Sequence, residues 1–328
     1  MRLTAKTAVE VLRAAGEPTR LRILALLHRE ELAVMELSQI LDQSQPRVSR
    51  HLKLLTEAGL IERFPDGAWM FYRLVAHGPR RILLEQTLAL IQQNDPHLAL
   101  DLGRLETVRS GRLELAADYF AQNASRWDEL RSLYIAEADV EAAIQAAVGP
   151  GPYDRLLDLG SGTGRMLTLL GERAKMSVGL DLSQQMLNVA RHHTRDAGLA
   201  HCELRHGDIF ATRLPDGFAD LVVVHQVLHY LSDPAAAVAE AGRLVQPGGR
   251  LLIVDFAPHR LEFLREAHRH RRLGFSDAEI TRWLALAGLD PAPPVTLPAK
   301  DDKGLTVKIW TAGRAQASTA NTSSRSAA

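Results

Sequence analysis

A chain of 328 residues with 46% hydrophobic and 24% charged content has ordinary globular composition and room for two cores, which excludes a fibrous or low-complexity protein. Its 39 basic residues are matched by 39 acidic ones, so affinity for nucleic acid has to come from a local patch rather than from whole-molecule attraction. The single cysteine, Cys202, excludes an internal disulfide framework; with no apolar run of about 18 residues and no basic-then-apolar leader, the expectation is a cytoplasmic protein without a membrane partner.

In chain order, Pro18 opens a stretch to Leu27 with apolar side chains at helical spacing, and a second short helix is expected around Val34 to Leu41. Asp42 to Gly59 reads as a third helix. Ser44 is placed to cap it, Val48, Leu52 and Leu55 face inward, and Gly59 ends it. Arg47, Ser49, Arg50 and Lys53 are left on an outer face that carries no acid before Glu57. Leu60 to Phe64 and Trp69 to Leu74 are β-rich runs hinged by Pro65-Asp66-Gly67, a hairpin signal. Helix, turn, basic helix and hairpin is the order of a winged helix-turn-helix, in which the second helix of the pair enters the major groove. The charge run alone is equally that of a solvated helix face.

Across Val9 to Ala76 these residues resemble the arsenic-repressor (ArsR) family of winged-helix regulators. The resemblance implies double-stranded DNA as a partner, contacted from Ser44, Gln45, Arg47, Ser49, Arg50 and Lys53. By side-chain chemistry Gln45 and Arg47 suit base edges, while Ser49, Arg50 and Lys53 suit phosphates. Metal-sensing members often carry a cysteine pair before the recognition helix, where this chain has Glu31-Leu32-Ala33-Val34-Met35-Glu36-Leu37. Without thiolates, soft-metal sensing at that position is not expected.

After His77-Gly78-Pro79, an amphipathic helix is expected over Arg80 to Gln93, and Asn94-Asp95-Pro96 breaks it and restarts another with Asp95 as cap. These helices either pair with those of a second copy, giving the homodimer that the resemblance implies, or pack within the chain. Ala116 to Ile135 is expected to be a helix whose Tyr119, Phe120 and Trp127 either close a pocket or pack in a core.

From Asp154 onward strands and helices alternate, which implies a mostly parallel sheet with helices on both faces and ligands beyond the carboxyl ends of the strands. Leu156 to Leu159 runs into Gly160-Ser161-Gly162-Thr163-Gly164, the signature of a strand, a tight turn and a helix start. Its glycine spacing differs from the dinucleotide fingerprint. Asp181 ends the next strand roughly twenty residues after Gly160, the distance at which an acid can take ribose hydroxyls. Asp208 follows the third strand, where it can accept from an adenine amino group.

With Val222 to Tyr230 and Leu244 to Arg250, these strand ends resemble a class I S-adenosylmethionine-dependent methyltransferase over about Leu113 to Gln316. The fold class expected is therefore α/β: an N-terminal winged helix-turn-helix and a C-terminal Rossmann-like domain with an antiparallel last strand. The resemblance implies S-adenosylmethionine or S-adenosylhomocysteine as ligand. Gly160 and Gly162 would meet its amino-acid part, Asp181 its ribose and Asp208 with Ile209 its adenine, with Leu182 also among the ligand-binding residues. Met186 would line the pocket or is plain core, and Asp158 would serve the ligand or cap the turn.

No catalytic residue stands out. Asn-Pro-Pro-aromatic is absent after the fourth strand, and Cys202 alone cannot supply the several thiols expected for arsenite methylation. His225 and His229, at the fourth strand's end, are each either a base, a ligand contact or a structural histidine. His259, His268 and His270 with Glu262 and Glu266 suggest a metal, but Arg260, Arg265, Arg269, Arg271 and Arg272 crowd the same stretch and disfavour a dication, so no metal is expected. That stretch instead fits a solvated helix or one that binds an acidic partner. The expected divisions are 1–78 for DNA binding, 79–112 as connector, 113–316 for the methyltransferase-like domain and 317–328 as a disordered tail.

Overall fold

The computed structural model describes residues 3–66, 69–75, 78–92, 95–124, 127, 137–299 and 304–316; the tail 317–328 lies outside them. The chain forms two compact units, Met1–Ala116 with Arg260–Leu273, and Ala117–His259 with Gly274–Ala328.

In the first unit α1 (Ala5–Ala15), α2 (Pro18–Leu27), α3 (Val34–Leu41) and α4 (Gln45–Glu57) precede a hairpin. That hairpin is β2 (Ile61–Asp66) and β3 (Trp69–Leu74), and β1 (Leu32–Ala33), which sequence patterning missed, adds a third strand along β3. Two residues are too short for a periodic signal. Two of these helices start where a side chain answers a backbone donor: at α2 Glu17 accepts from Arg20 N–H at 2.9 Å, and at α3 Glu36 accepts from Ala33 N–H at 2.9 Å. Ser44 corrects its expected role. It occupies the N-cap of α4, but its hydroxyl makes no capping bond, and its carbonyl instead accepts from Arg47 and Val48 at 3.0 and 3.1 Å. Pro46, in the first turn, has no N–H that needs an acceptor.

Val48, Leu52 and Leu55 are fully buried against Ile23, Leu37 and Ile40, which fixes the opposite face of α4 toward solvent. Two further helices follow, α5 (Pro79–Ala89) and α6 (Pro96–Asn123). Asp95 caps α6, accepting from Leu98 N–H at 3.0 Å. Arg22 of α2 binds both oxygens of the buried Asp101 of α6 at 2.6 Å, a bidentate pair that anchors α6 to the winged-helix core. The separate helix expected over Ala116 to Ile135 is corrected: through Asn123 it is the continuation of α6, because nothing between Pro96 and Asn123 breaks the helix.

The second unit begins its regular part with α7 (Glu137–Val148) and then alternates: β4 (Tyr153–Leu159), α8 (Arg165–Leu170), β5 (Ala174–Asp181), α9 (Gln184–Asp196), β6 (Cys202–His206), β7 (Ala219–His225), α10 (Pro234–Leu244) and β8 (Val245–Phe256). It closes with α11 (Asp277–Leu286), β9 (Asp290–Pro291), β10 (Val295–Leu297) and β11 (Val307–Gly313). Strand order is β10-β11-β8-β7-β4-β5-β6, with β9 also on β11. β4 through β8 run parallel, and β9 to β11 pair antiparallel. The connections leave β4 in opposite directions, toward β5 and then β7, so a crevice opens at its carboxyl end.

Candidate functional sites

That crevice holds the glycine turn. Gly160, Gly162 and Gly164 all have positive φ. Gly162, at φ +51°, has open space where a Cβ would stand, so its outer side is free for a ligand to approach. On the inner side, Val227 crowds Gly160, and a Cβ there would lie 2.5 Å from Val227 Cγ2. The ends of β4, β5 and β7 are drawn together in this way: Gly160 N–H donates to Leu180 O at 2.7 Å, and Gly162 N–H donates to Asp181 Oδ2 at 2.8 Å.

Asp181 is a hydrogen-bonded acid with capacity to spare. Its Oδ1 accepts from Ser183 N–H at 2.8 Å, and a carboxylate has about four acceptor sites in all. Desolvation raises its pKa, opposed by the backbone bonds from Ser183 and Gly162. Asp158 differs. It is 1% exposed, neither oxygen has a hydrogen-bond partner among the described residues, and burial, with Asp181 as a like charge, pushes its pKa up to about 8. A buried carboxyl without a partner is costly unless something cationic or donating answers it.

The remaining strand-end residues fall into exposed and buried sets. Leu182 is 46% exposed, and Asp208 is exposed with its Oδ1 accepting from Phe210 N–H at 2.9 Å. Met186 and Ile209 are buried, Ile209 within the main core cluster. Phe210, which sequence reading passed over, is an exposed aromatic beside Asp208; an aromatic after the third-strand acid was the available signal. His225 is half-buried at the end of β7.

His229 is a buried histidine whose Nδ1 lies 2.8 Å from Asp255 Oδ1, with its ring 4.1 Å from Tyr230 and 5.0 Å from Phe256. Phe120 meets Tyr230 at 4.9 Å and Trp127 at 5.2 Å, and Tyr119 lies 5.8 Å from Phe120, so the three aromatics expected on the Ala116 to Ile135 stretch join one cluster with Tyr230. Burial pushes the Tyr230 phenol well above its ordinary value of 10.

In the first unit Ser44, Gln45, Arg47, Arg50 and Lys53 are exposed on α4, and Ser49 is half-buried. Apart from a 3.9 Å approach of Lys53 to Glu57, no acid among the described residues pairs with these cations. Such a face is suited to a polyanion.

The arginine-rich stretch is not a solvated helix. Arg260–Leu273 packs within the winged-helix unit and includes a short helix, Phe263–His268, and its acidic partner is intramolecular. Arg272 pairs with Glu31 at 3.0 Å and Asp66 at 2.9 Å, and Arg271 donates to Glu31 O at 3.1 Å. Acids far away in sequence left no local signal of this. Among the described residues, no three His, Cys, Asp or Glu side chains converge as metal ligands.

The fold and strand ends define a Rossmann-like methyltransferase domain carried with a winged helix-turn-helix. Comparison with known proteins agrees: the model described as bacterial regulatory protein, arsR family, matches residues 17–63, and that described as methyltransferase domain matches 157–253. The chain thus joins an ArsR-type winged helix-turn-helix to a class I methyltransferase domain. It is 34% identical over 144 residues to the demethylmenaquinone methyltransferase of Thermus thermophilus, covering 42% of this chain and 64% of that protein. It is 35% identical over 154 residues to a malonyl-[acyl-carrier protein] O-methyltransferase of Serratia marcescens, covering 47% and 57%. It therefore spans about three fifths of the length of these relatives. A chain of the solved complex between the Haloferax volcanii Trm112 methyltransferase activator and a candidate methyltransferase shares the fold, with TM-score 0.50 and 21% identity, over 60% of this chain and 98% of that one.

The residues fit the S-adenosyl group that such domains bind. Gly162 leaves room for it, Asp181 is an acid of the kind that accepts from ribose hydroxyls, and the buried carboxyl of Asp158 has no partner among the described residues, which a cationic ligand would supply.

Proposed function

We propose that this protein is a cytoplasmic, DNA-binding transcriptional regulator whose methyltransferase-like domain takes S-adenosylmethionine or S-adenosylhomocysteine as its effector, so that methyl-cycle status sets its affinity for DNA. The observation that carries this reading is that one chain bears both an exposed basic face on α4 and the glycine turn tied to Asp181. Arg47, Arg50 and Lys53 hold the DNA, two copies read two half-sites, and Asp181 and Asp208 take the ribose and adenine donors of the ligand.

The second reading, a working methyltransferase of a small-molecule acceptor, is favoured by the two relatives named as methyltransferases and by half-buried His225 at the end of β7, a side chain able to act as a base. S-adenosylmethionine supplies an electrophilic methyl group when bound. The chain's own part is to position an acceptor and, where the acceptor carries a proton, to remove it. His229 is poorly placed for that work because Asp255 and the surrounding rings enclose it.

The readings separate by titration of each ligand into protein bound to a DNA site selected from random sequence with the protein itself. The effector reading expects a shift in DNA affinity, as linkage requires. Unchanged affinity across a saturating range of both ligands defeats it, and transfer of labelled methyl groups to a cell-extract acceptor would favour the enzyme.

A further inference from the structure

Between β8 and α11 the chain leaves the second unit, contributes Arg260–Leu273 to the first, and returns. Its two ends are pinned at one neck: Phe275 N–H donates to Phe256 O at 2.8 Å. Gly274 there has φ +91°, and a Cβ would stand 2.2 Å from Ala257 O, so only glycine closes the neck.

At the far end the excursion grips the hairpin that serves as the wing. Asp66, the last residue of β2, is 6% exposed and lies at the centre of the grip. Leu273 N–H donates to its Oδ1 at 2.8 Å, Arg265 donates to its carbonyl at 2.7 Å and approaches Oδ1 at 3.2 Å, and Arg272 lies 2.9 Å from Oδ2. The same arginines cover wing aromatics, Arg265 over Trp69 at 5.3 Å and Arg272 over Phe64 at 4.8 Å. Buried charges at this density hold only as a set, since removal of one leaves its partner desolvated and unpaired.

A line of contacts leads from the glycine turn to the neck. Val227 packs on Gly160; two residues later His229 is bonded to Asp255, and Asp255 adjoins Phe256 of the neck. We infer that Arg260–Leu273 is a strut through which the ligand state of the methyltransferase-like domain is read at the wing. This rests on the ligand reading of the glycine turn. A ligand that orders the turn biases Val227 and His229, and the pinned excursion carries that bias to Asp66 as a change in how firmly the hairpin is held.

Hydrogen exchange by mass spectrometry on the full chain, with and without S-adenosylhomocysteine, tests the strut. The expected result is slower exchange both in a peptide over 156–164 and, by at least twofold, in a peptide over 61–74. Protection at 156–164 with 61–74 unchanged overturns the strut and leaves the pocket standing; no protection at 156–164 overturns both. In Arg272→Gln the response at 61–74 is expected to vanish while that at 156–164 remains, and its persistence at 61–74 rules out this route. The wild-type comparison stands whether or not the variant folds.

Discussion

Asp181, at the end of β5, holds the turn that follows β4: its Oδ2 accepts from the backbone N–H of Gly162 at 2.8 Å. One carboxylate thereby shapes the glycine turn and, in the proposed reading, also serves the ribose of the ligand. Replacing it with alanine removes both roles. Hydrogen bonds to a charged group contribute about 1.5–3 kcal/mol, so Asp181→Ala is expected to weaken S-adenosylhomocysteine binding by about tenfold to over a hundredfold in calorimetry. A dissociation constant within twofold of wild type would show that the ligand lies elsewhere.

Asp158 makes ligand-free stability depend on pH. Its folded-state pKa of about 8 stands far above the unfolded value of about 3.9. Between those values the native state holds a proton that the unfolded chain has released, so this group's contribution is fully present below about pH 4 and is lost as pH rises toward 8. The slope it adds is at most about 1.4 kcal/mol per pH unit. Denaturant melts from about pH 5 to 8 should show the decline, and Asp158→Asn should flatten it. An equal decline in the variant would mean that Asp158 ionises normally.

Arg50 and Lys53 are exposed on α4 and take no part in its core, so the double variant Arg50→Ala, Lys53→Ala should fold normally. Loss of two phosphate contacts should lower DNA affinity and reduce the slope of log affinity against log salt by about 1.8. Fluorescence anisotropy across a salt series reads both. An unaltered slope would place the DNA on another face.

The two sides of α4 should respond unequally in stability. Leu52 is fully buried, and Leu52→Ala is expected to cost about 2–5 kcal/mol. Leu54 is 47% exposed, and Leu54→Ala should stay within about 0.5 kcal/mol. Comparable losses at both would mean that Leu54 is covered in solution, as an interface between two copies would do.

Local pattern made most of the secondary structure legible. Val48, Leu52 and Leu55 repeat at helical spacing, and all three are buried; the alternation from Tyr153 to Phe256 matches the parallel core of the sheet. Glycines, caps and apolar periods are read over a few residues, so they survive without knowledge of the fold. Local pattern failed where the answer lay far off in sequence. β1 is two residues held by Tyr72 and Phe71, and α6 continues to Asn123 where a separate helix from Ala116 is expected.

By itself, then, the sequence determined the two domain types and the strand-end acids, because strand ends, glycine turns and a basic helix face are set by neighbours in the chain. Only the tertiary structure decided that Asp158 is buried without a hydrogen-bond partner among the described residues, that His229 is enclosed with Asp255, and that Arg265 and Arg272 close on Asp66. Each of these depends on desolvation and on charges brought together from distant positions, and neither quantity exists until the chain has folded.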